Sequence, residues 1–236
     1  MKKLSSICLL LFPILATAQM TYDLQTGREL GIIGSAAGLS GYAAYINAKN
    51  DIIRPDEIQA LDPDRLWKID RWVITQYSAS AKKGSDLALY GSFLLPLTLL
   101  ADEDGRREFG KVGLMSLQTI LLNSSITNVA KVSARRPRPF LYNQDIALNA
   151  KLRKSDRYSF FSGHTSTTAA LSFMTAQMHS DFNPERNNNV VWVLAAAIPA
   201  YTGIQRMRAG KHFATDVILG YVFGAAVGIL VPNLHK

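Results

Sequence analysis

The chain has 236 residues, 48% of them hydrophobic, with a formal net charge of +8, enough for one domain with a sizeable core and short of two. The basic excess suits an anionic substrate or membrane surface, but the Lys and Arg residues gather in short stretches rather than along a face interleaved with aromatics, which argues against nucleic acid as a partner. The single cysteine, Cys8, falls in the N-terminal apolar stretch, so the remaining chain has no thiol for redox chemistry, disulfides or metal ligation.

In chain order, Met1-Lys2-Lys3, an apolar run from Leu4 to Ala16 and the small residues Ala16-Thr17-Ala18 before Gln19 predict a secretory signal over residues 1–18. An uncleaved anchor is the alternative; in both cases the chain is exported to the cell envelope. Apolar stretches bounded by charges, Gly or Pro then predict an all-α fold. The helices expected are Gly31 to Asn47, Leu87 to Ala101, Val112 to Ala130, Thr165 to His179, Val190 to Gln205 and Asp216 to Val231, with an amphipathic segment from Pro63 to Ser80. The arrangement expected is a helical bundle of about six main helices with the active site at one end. Each apolar run is only about 15 to 19 residues, at or below the usual spanning length, so a membrane-associated protein facing the periplasm and a soluble periplasmic one both remain open. Trp67, Trp72 and Tyr77 receive no functional role, since ordinary packing accounts for them equally well.

The chemistry-bearing residues sit at predicted helix ends: Lys131 through Pro139, Ser159 through Thr165, and Arg206 through Asp216. In an antiparallel bundle these three stretches meet at one end. Lys131, Arg138 and Arg206 are three cations with no comparable carboxylate cluster beside them, as a tetrahedral dianion requires. Ser162, Gly163 and His164 add a hydroxyl, a position open to close backbone approach and the free N–H groups of a helix start. His212 and Asp216 are four apart, so on one helix face the carboxylate would fix the imidazole tautomer. His212 is then the expected nucleophile, and His164 the acid that protonates the leaving oxygen and later activates water. The scheme calls for no metal and no other cofactor.

These residues resemble the type 2 phosphatidic acid phosphatase and vanadium haloperoxidase superfamily, with its Lys-x6-Arg-Pro, Pro-Ser-Gly-His and Ser-Arg-x5-His-x3-Asp signatures. Lys131 with Arg138-Pro139 matches the first, Ser162-Gly163-His164 the second, and Arg206, His212 and Asp216 the third. Phe161 stands where the family has Pro, and Gln205 where it has Ser. The resemblance runs from about Leu87 to the C-terminus. It implies Lys131, Arg138, Ser162, Gly163 and Arg206 as phosphate ligands, His212 as nucleophile, His164 as acid/base and Asp216 as the partner of His212. Residues 19–85 are then an N-terminal helical segment and 86–236 the phosphatase core. The function implied is metal-independent hydrolysis of phosphate monoesters or pyrophosphates, with a phosphorylated lipid as partner. A soluble broad-specificity acid phosphatase, a vanadium-dependent haloperoxidase and a non-catalytic anion binder are the competing readings.

Overall fold

The computed structural model describes residues 21–236, so the expected signal at 1–18 and Cys8 lie outside the described residues. The described residues are helical, without a strand among them. The long helices are α1 (Thr26–Lys49), α2 (Ala79–Ser92), α3 (Phe109–Ala134), α4 (Gly163–Phe182), α5 (Asn189–Arg208) and α6 (Ala214–Leu234), joined by short helical turns.

The centre of the bundle is α4. Ser162 caps its N-terminus, accepting from the Thr165 amide at 3.4 Å, and buried residues run round every face of the helix, from Thr165 to Met178. A helix apolar or satisfied all round belongs inside a bundle rather than on its surface. Leu171, Met174 and Met178 join Tyr22, Leu99, Met115, Val227 and Val231 in the main core cluster.

Glycine sets how closely α6 approaches α4. Gly220, Gly224 and Gly228 recur every fourth residue along one stripe of α6, and a Cβ on them would stand 2.7, 2.1 and 2.3 Å from the carbonyl oxygens of Ser162, Ser166 and Ala170. Those carbonyls recur every fourth residue along α4, so two backbones are in direct contact over more than two turns. Any side chain on the stripe would push α6 away from the start of α4.

The predicted helix from Leu87 to Ala101 is the one substantial departure. α2 begins earlier, at Ala79, where Ser78 caps it by accepting from the Ala81 amide at 3.2 Å. It stops at Ser92, and a tighter 3-10 segment, Leu95–Ala101, follows at a bend of 40°. Pro96 explains the break: it lacks an N–H and disfavours α geometry at Leu95 before it. Pro63 to Ser80, expected to be amphipathic, forms short turns at Pro63–Arg65, Lys68–Arg71 and Trp72–Thr75 before α2 begins.

The outward surface is apolar where α2, α5 and α6 face away from the core. Leu87, Tyr90 and Leu94, Val190, Val193 and Leu194, and Ile218, Val222 and Leu230 are all exposed. α5 and α6 are long and apolar enough to cross a membrane, and α2 with its bent continuation would make a third such span. An apolar exterior on that scale is costly in water and natural against lipid.

The glycine stripe predicts a contrast. Gly224→Ala should destabilise by about 1–3 kcal/mol, the usual range for overpacking, and lower the thermal midpoint. Gly34→Ala, whose Cβ would meet nothing within 4 Å, should be neutral or slightly stabilising through helix propensity. Thermal unfolding of both variants in detergent checks this; equal midpoints would contradict the close contact.

Candidate active site

All three motif stretches converge at one end of the bundle, where α3 and α5 end and α4 and α6 begin. Lys131 lies in the last turn of α3. Its ammonium donates to the carbonyls of Phe161 at 2.7 Å and Tyr158 at 3.1 Å. Arg138 follows in the long connection between α3 and α4, donating from Nη1 to the Lys211 carbonyl and from Nε to the Ser155 carbonyl, both at 3.0 Å. Arg206, in the last turn of α5, donates to Ser85 Oγ at 3.3 Å, and its buried Nε has no hydrogen-bond partner among the described residues. Carbonyls and a hydroxyl thus aim these cations without cancelling their charge, and the orphan Nε is a donor that a bound anion would satisfy.

Ser162 and Gly163 complete the floor. Ser162 is fully buried, with its hydroxyl 2.8 Å from that of Thr165 and its amide donating to the Asp216 carbonyl at 3.0 Å. A Cβ at Gly163 would lie 3.5 Å from Cε of Lys131, so the Gly163 backbone sits against the cradle cation.

His212 lies in the turn between α5 and α6 and is 2% exposed. Its Nδ1 is 2.7 Å from the Ser159 carbonyl. A carbonyl only accepts, so Nδ1 carries the proton and Nε2 keeps its lone pair. The expected partnership with Asp216 takes a different form: Asp216 Oδ2 stands 4.0 Å from Nδ1. Instead it accepts from Ser159 Oγ at 2.5 Å and from the Phe213 amide at 2.9 Å. The carboxylate therefore holds the residue that holds the histidine. The i, i+4 argument failed because α6 begins at Ala214, leaving His212 outside the helix.

Burial, and then the charges of Lys131, Arg138 and Arg206, push the His212 imidazole well below its ordinary value of 6.5. The ring is therefore neutral, with a free nitrogen beside three cations. On the facing side His164 Nε2 is 2.9 Å from Asp86 Oδ1. Burial first and then Arg206 lower His164 to about 4, while Asp86 works in the opposite direction. An anion that offsets the cradle cations would bring it back toward protonation.

Several residues of the site were missed in the sequence. Asp86 lies on α2 one residue before the predicted helix start, a lone carboxylate in an apolar stretch, which was its only signal. Arg136 donates to Asp216 Oδ1 at 2.5 Å and to Asp70 Oδ2 at 2.8 Å, and stacks over the Phe213 ring at 4.2 Å. Asp70, 1% exposed, also accepts from the Thr215 amide at 3.0 Å and hydroxyl at 2.7 Å. In the sequence it reads as one more charge on an amphipathic stretch. Phe161 does not wall the site: it is buried, stacked on Phe223 at 5.3 Å. Gln205 packs beside Gly84, with its Oε1 buried and without a partner among the described residues.

The comparisons with known proteins agree with this geometry. The sequence model of the PAP2 superfamily matches residues 113–236. Phosphatidylglycerophosphatase B of Bacillus subtilis (strain 168) is 29% identical over 149 residues, covering 61% of this chain and 69% of the relative. In fold the chain is similar to the crystal structure of the first transmembrane PAP2 type phosphatidylglycerolphosphate phosphatase from Bacillus subtilis. The TM-score is 0.53 at 23% identity, covering 84% of this chain and 94% of that one.

Two outcomes follow from the buried charges. Asp70→Ala leaves Arg136 half-paired and the Thr215 donors unmet, and should cost about 3–5 kcal/mol, as breaking a buried ion pair does. Thermal unfolding, with faster hydrogen exchange at the Thr215 amide, is the check. His212, depressed in the folded state, takes up its proton more readily when unfolded, so stability falls as pH drops below 6.5. His212→Gln should flatten that part of the melting-temperature profile; an unchanged slope would show that His212 is not held neutral.

Proposed function

Because the chain belongs to the PAP2 superfamily, we propose that it is a phosphatase that hydrolyses the phosphate monoester or diphosphate of a membrane lipid through a phosphohistidine. The observation that carries the reading is the neutral imidazole of His212, its Nδ1–H held by the Ser159 carbonyl and Nε2 left free, beside a cradle of Lys131, Arg138 and Arg206. The similarity to a phosphatidylglycerophosphatase and the apolar exterior of α2, α5 and α6 support a lipid substrate and a membrane-associated enzyme of the bacterial envelope with its site facing the periplasm.

Lys131, Arg138, Arg206 and the amides at the start of α4 bind the phosphoryl oxygens and stabilise the charge that develops on them. Nε2 of His212 attacks phosphorus as the bond to the leaving oxygen breaks, and the protonated His164 gives its proton to that oxygen. His164 then takes a proton from water, whose oxygen attacks phosphorus. The N–P bond breaks and inorganic phosphate departs. Asp86 holds Nε2 of His164, leaving Nδ1, which has no hydrogen-bond partner among the described residues, for the leaving group. In this scheme the three cations supply the charge stabilisation, and no step runs through a metal.

Phosphate release by the purified protein, with EDTA present, tests the proposal on phosphatidate, an isoprenyl diphosphate and p-nitrophenyl phosphate. Wild type should turn over at least one lipid substrate, and His212→Ala should lose about 10³-fold or more, as loss of a nucleophile does. Chelator-sensitive turnover, or a fully active His212→Ala, would overturn the mechanism.

A further inference from the structure

Beside the phosphate cradle lies a cavity of about 110 Å³ lined by Tyr77, Ser78, Ala79, Lys82, Ala209 and Lys211. Two of its walls are shared with the site. Lys82 Nζ is 3.7 Å from Asp86 Oδ2, and the other oxygen of that carboxylate contacts His164 at 2.9 Å and Arg206 at 3.6 Å. Lys211 gives its carbonyl to Arg138 and its amide to the Arg206 carbonyl, both at 3.0 Å. The cavity thus opens on the side where His164 meets the leaving group.

Lys211 is an uncompensated cation. Among the described residues its ammonium has no hydrogen-bond acceptor and no carboxylate within 4.0 Å; it rests 4.1 Å from the Phe140 ring centroid and 5.8 Å from that of Tyr77. Burial first and then Arg138 bring its pKa down to about 8, the behaviour of an ammonium lacking an anion. Lys82 faces the same space, and α2 begins there at Ala79, adding the positive end of a 14-residue helix. The catalytic scheme uses neither lysine, because the transferred phosphoryl group is already held by Lys131, Arg138 and Arg206.

We propose that Lys82 and Lys211 form a second anion subsite on the leaving-group side, so that the enzyme favours lipid phosphates whose leaving group itself carries a phosphate. A diphosphate, or a glycerophosphate joined to its lipid through a phosphodiester, meets that description; phosphatidate, whose leaving group is a neutral diacylglycerol, does not. The inference rests on the hydrolase reading above and adds the substrate class.

Matched substrate pairs in detergent micelles test it with the full-length protein: farnesyl diphosphate against farnesyl monophosphate, and phosphatidylglycerol phosphate against phosphatidate of the same acyl chains. The quantity read is the ratio of initial-rate kcat/KM within each pair. In Lys82→Met/Lys211→Met the ratio should fall by about tenfold or more in at least one pair, the loss expected for charge-assisted hydrogen bonds. Lys211→Arg should keep most of the wild-type ratio, and Lys82→Met alone, at an exposed position, gives a version that does not disturb the fold. The pair that responds shows whether the subsite reads a directly attached phosphate or a bridged one. Ratios unchanged in both pairs, with activity retained or lost in parallel, overturn the subsite while the hydrolase reading stands. Absence of His212-dependent release from all four substrates overturns both.

Discussion

The Asp216 carboxylate, fully buried at the start of α6, is the point on which the site's charge arrangement turns. Lys131, Arg136, Arg138 and Arg206 crowd into one end of the bundle, where water screens them weakly and like charges repel strongly. Only Arg136 is neutralised, held between Asp216 and Asp70. The cradle cations are steered by the carbonyls of Phe161, Tyr158, Ser155 and Lys211. A carbonyl dipole orients a cation but leaves its charge available, whereas a carboxylate would consume it. That division lets one pocket be both mechanically fixed and strongly attractive to an anion. Asp216 pays its way a second time by holding Ser159, whose carbonyl sets the His212 tautomer.

Packing delivers this electrostatic arrangement. The Gly220, Gly224 and Gly228 stripe brings α6 against the carbonyls of Ser162, Ser166 and Ala170, and the Ser162 amide bonds the Asp216 carbonyl at the top of that contact. The helix start that presents Ser162, Gly163 and His164 and the turn that presents His212 are therefore parts of one rigid contact. Gly210, at φ +65° with a Cβ position 2.2 Å from the Gln76 carbonyl, serves the same end on the other side. It lets the turn after α5 fold tightly against the segment before α2.

What the sequence disclosed and what it withheld divide by sequence separation. Helix positions followed from apolar runs and charged boundaries, and the motif residues Lys131, Arg138, Ser162, Gly163, His164, Arg206, His212 and Asp216 could be gathered because each motif is local and its chemistry is distinctive. Asp86 and Asp70 could not, since their partners lie 78 and 145 residues away and an isolated aspartate resembles any surface charge. The pairing of His212 with Asp216 was misjudged because four-residue spacing implies a shared face only inside a helix, and α6 starts two residues after His212. The break after Ser92 was legible in principle, because Pro96 stands in the predicted helix, but the apolar run around it looked continuous.

The residues ahead of α2 do more than lead into the bundle. Ile53 and Ile58 pack with Phe140 and Leu141 in a second core cluster, Arg157 pairs with Glu57, and Asp70 reaches Arg136 and Thr215. Each of these contacts ends on the long connection between α3 and α4 or on the first turn of α6, the two pieces of irregular backbone that carry Arg138 and His212. Irregular backbone is the part of a helical bundle least fixed by its own hydrogen bonds, so a catalytic turn placed there needs an external brace. On the proposed reading the bundle's apolar flanks belong in lipid and its cationic end at the interface, where a phosphate on a membrane lipid is presented. The N-terminal segment then braces that end from outside the bundle, so that precise geometry is kept without filling the space the substrate must enter.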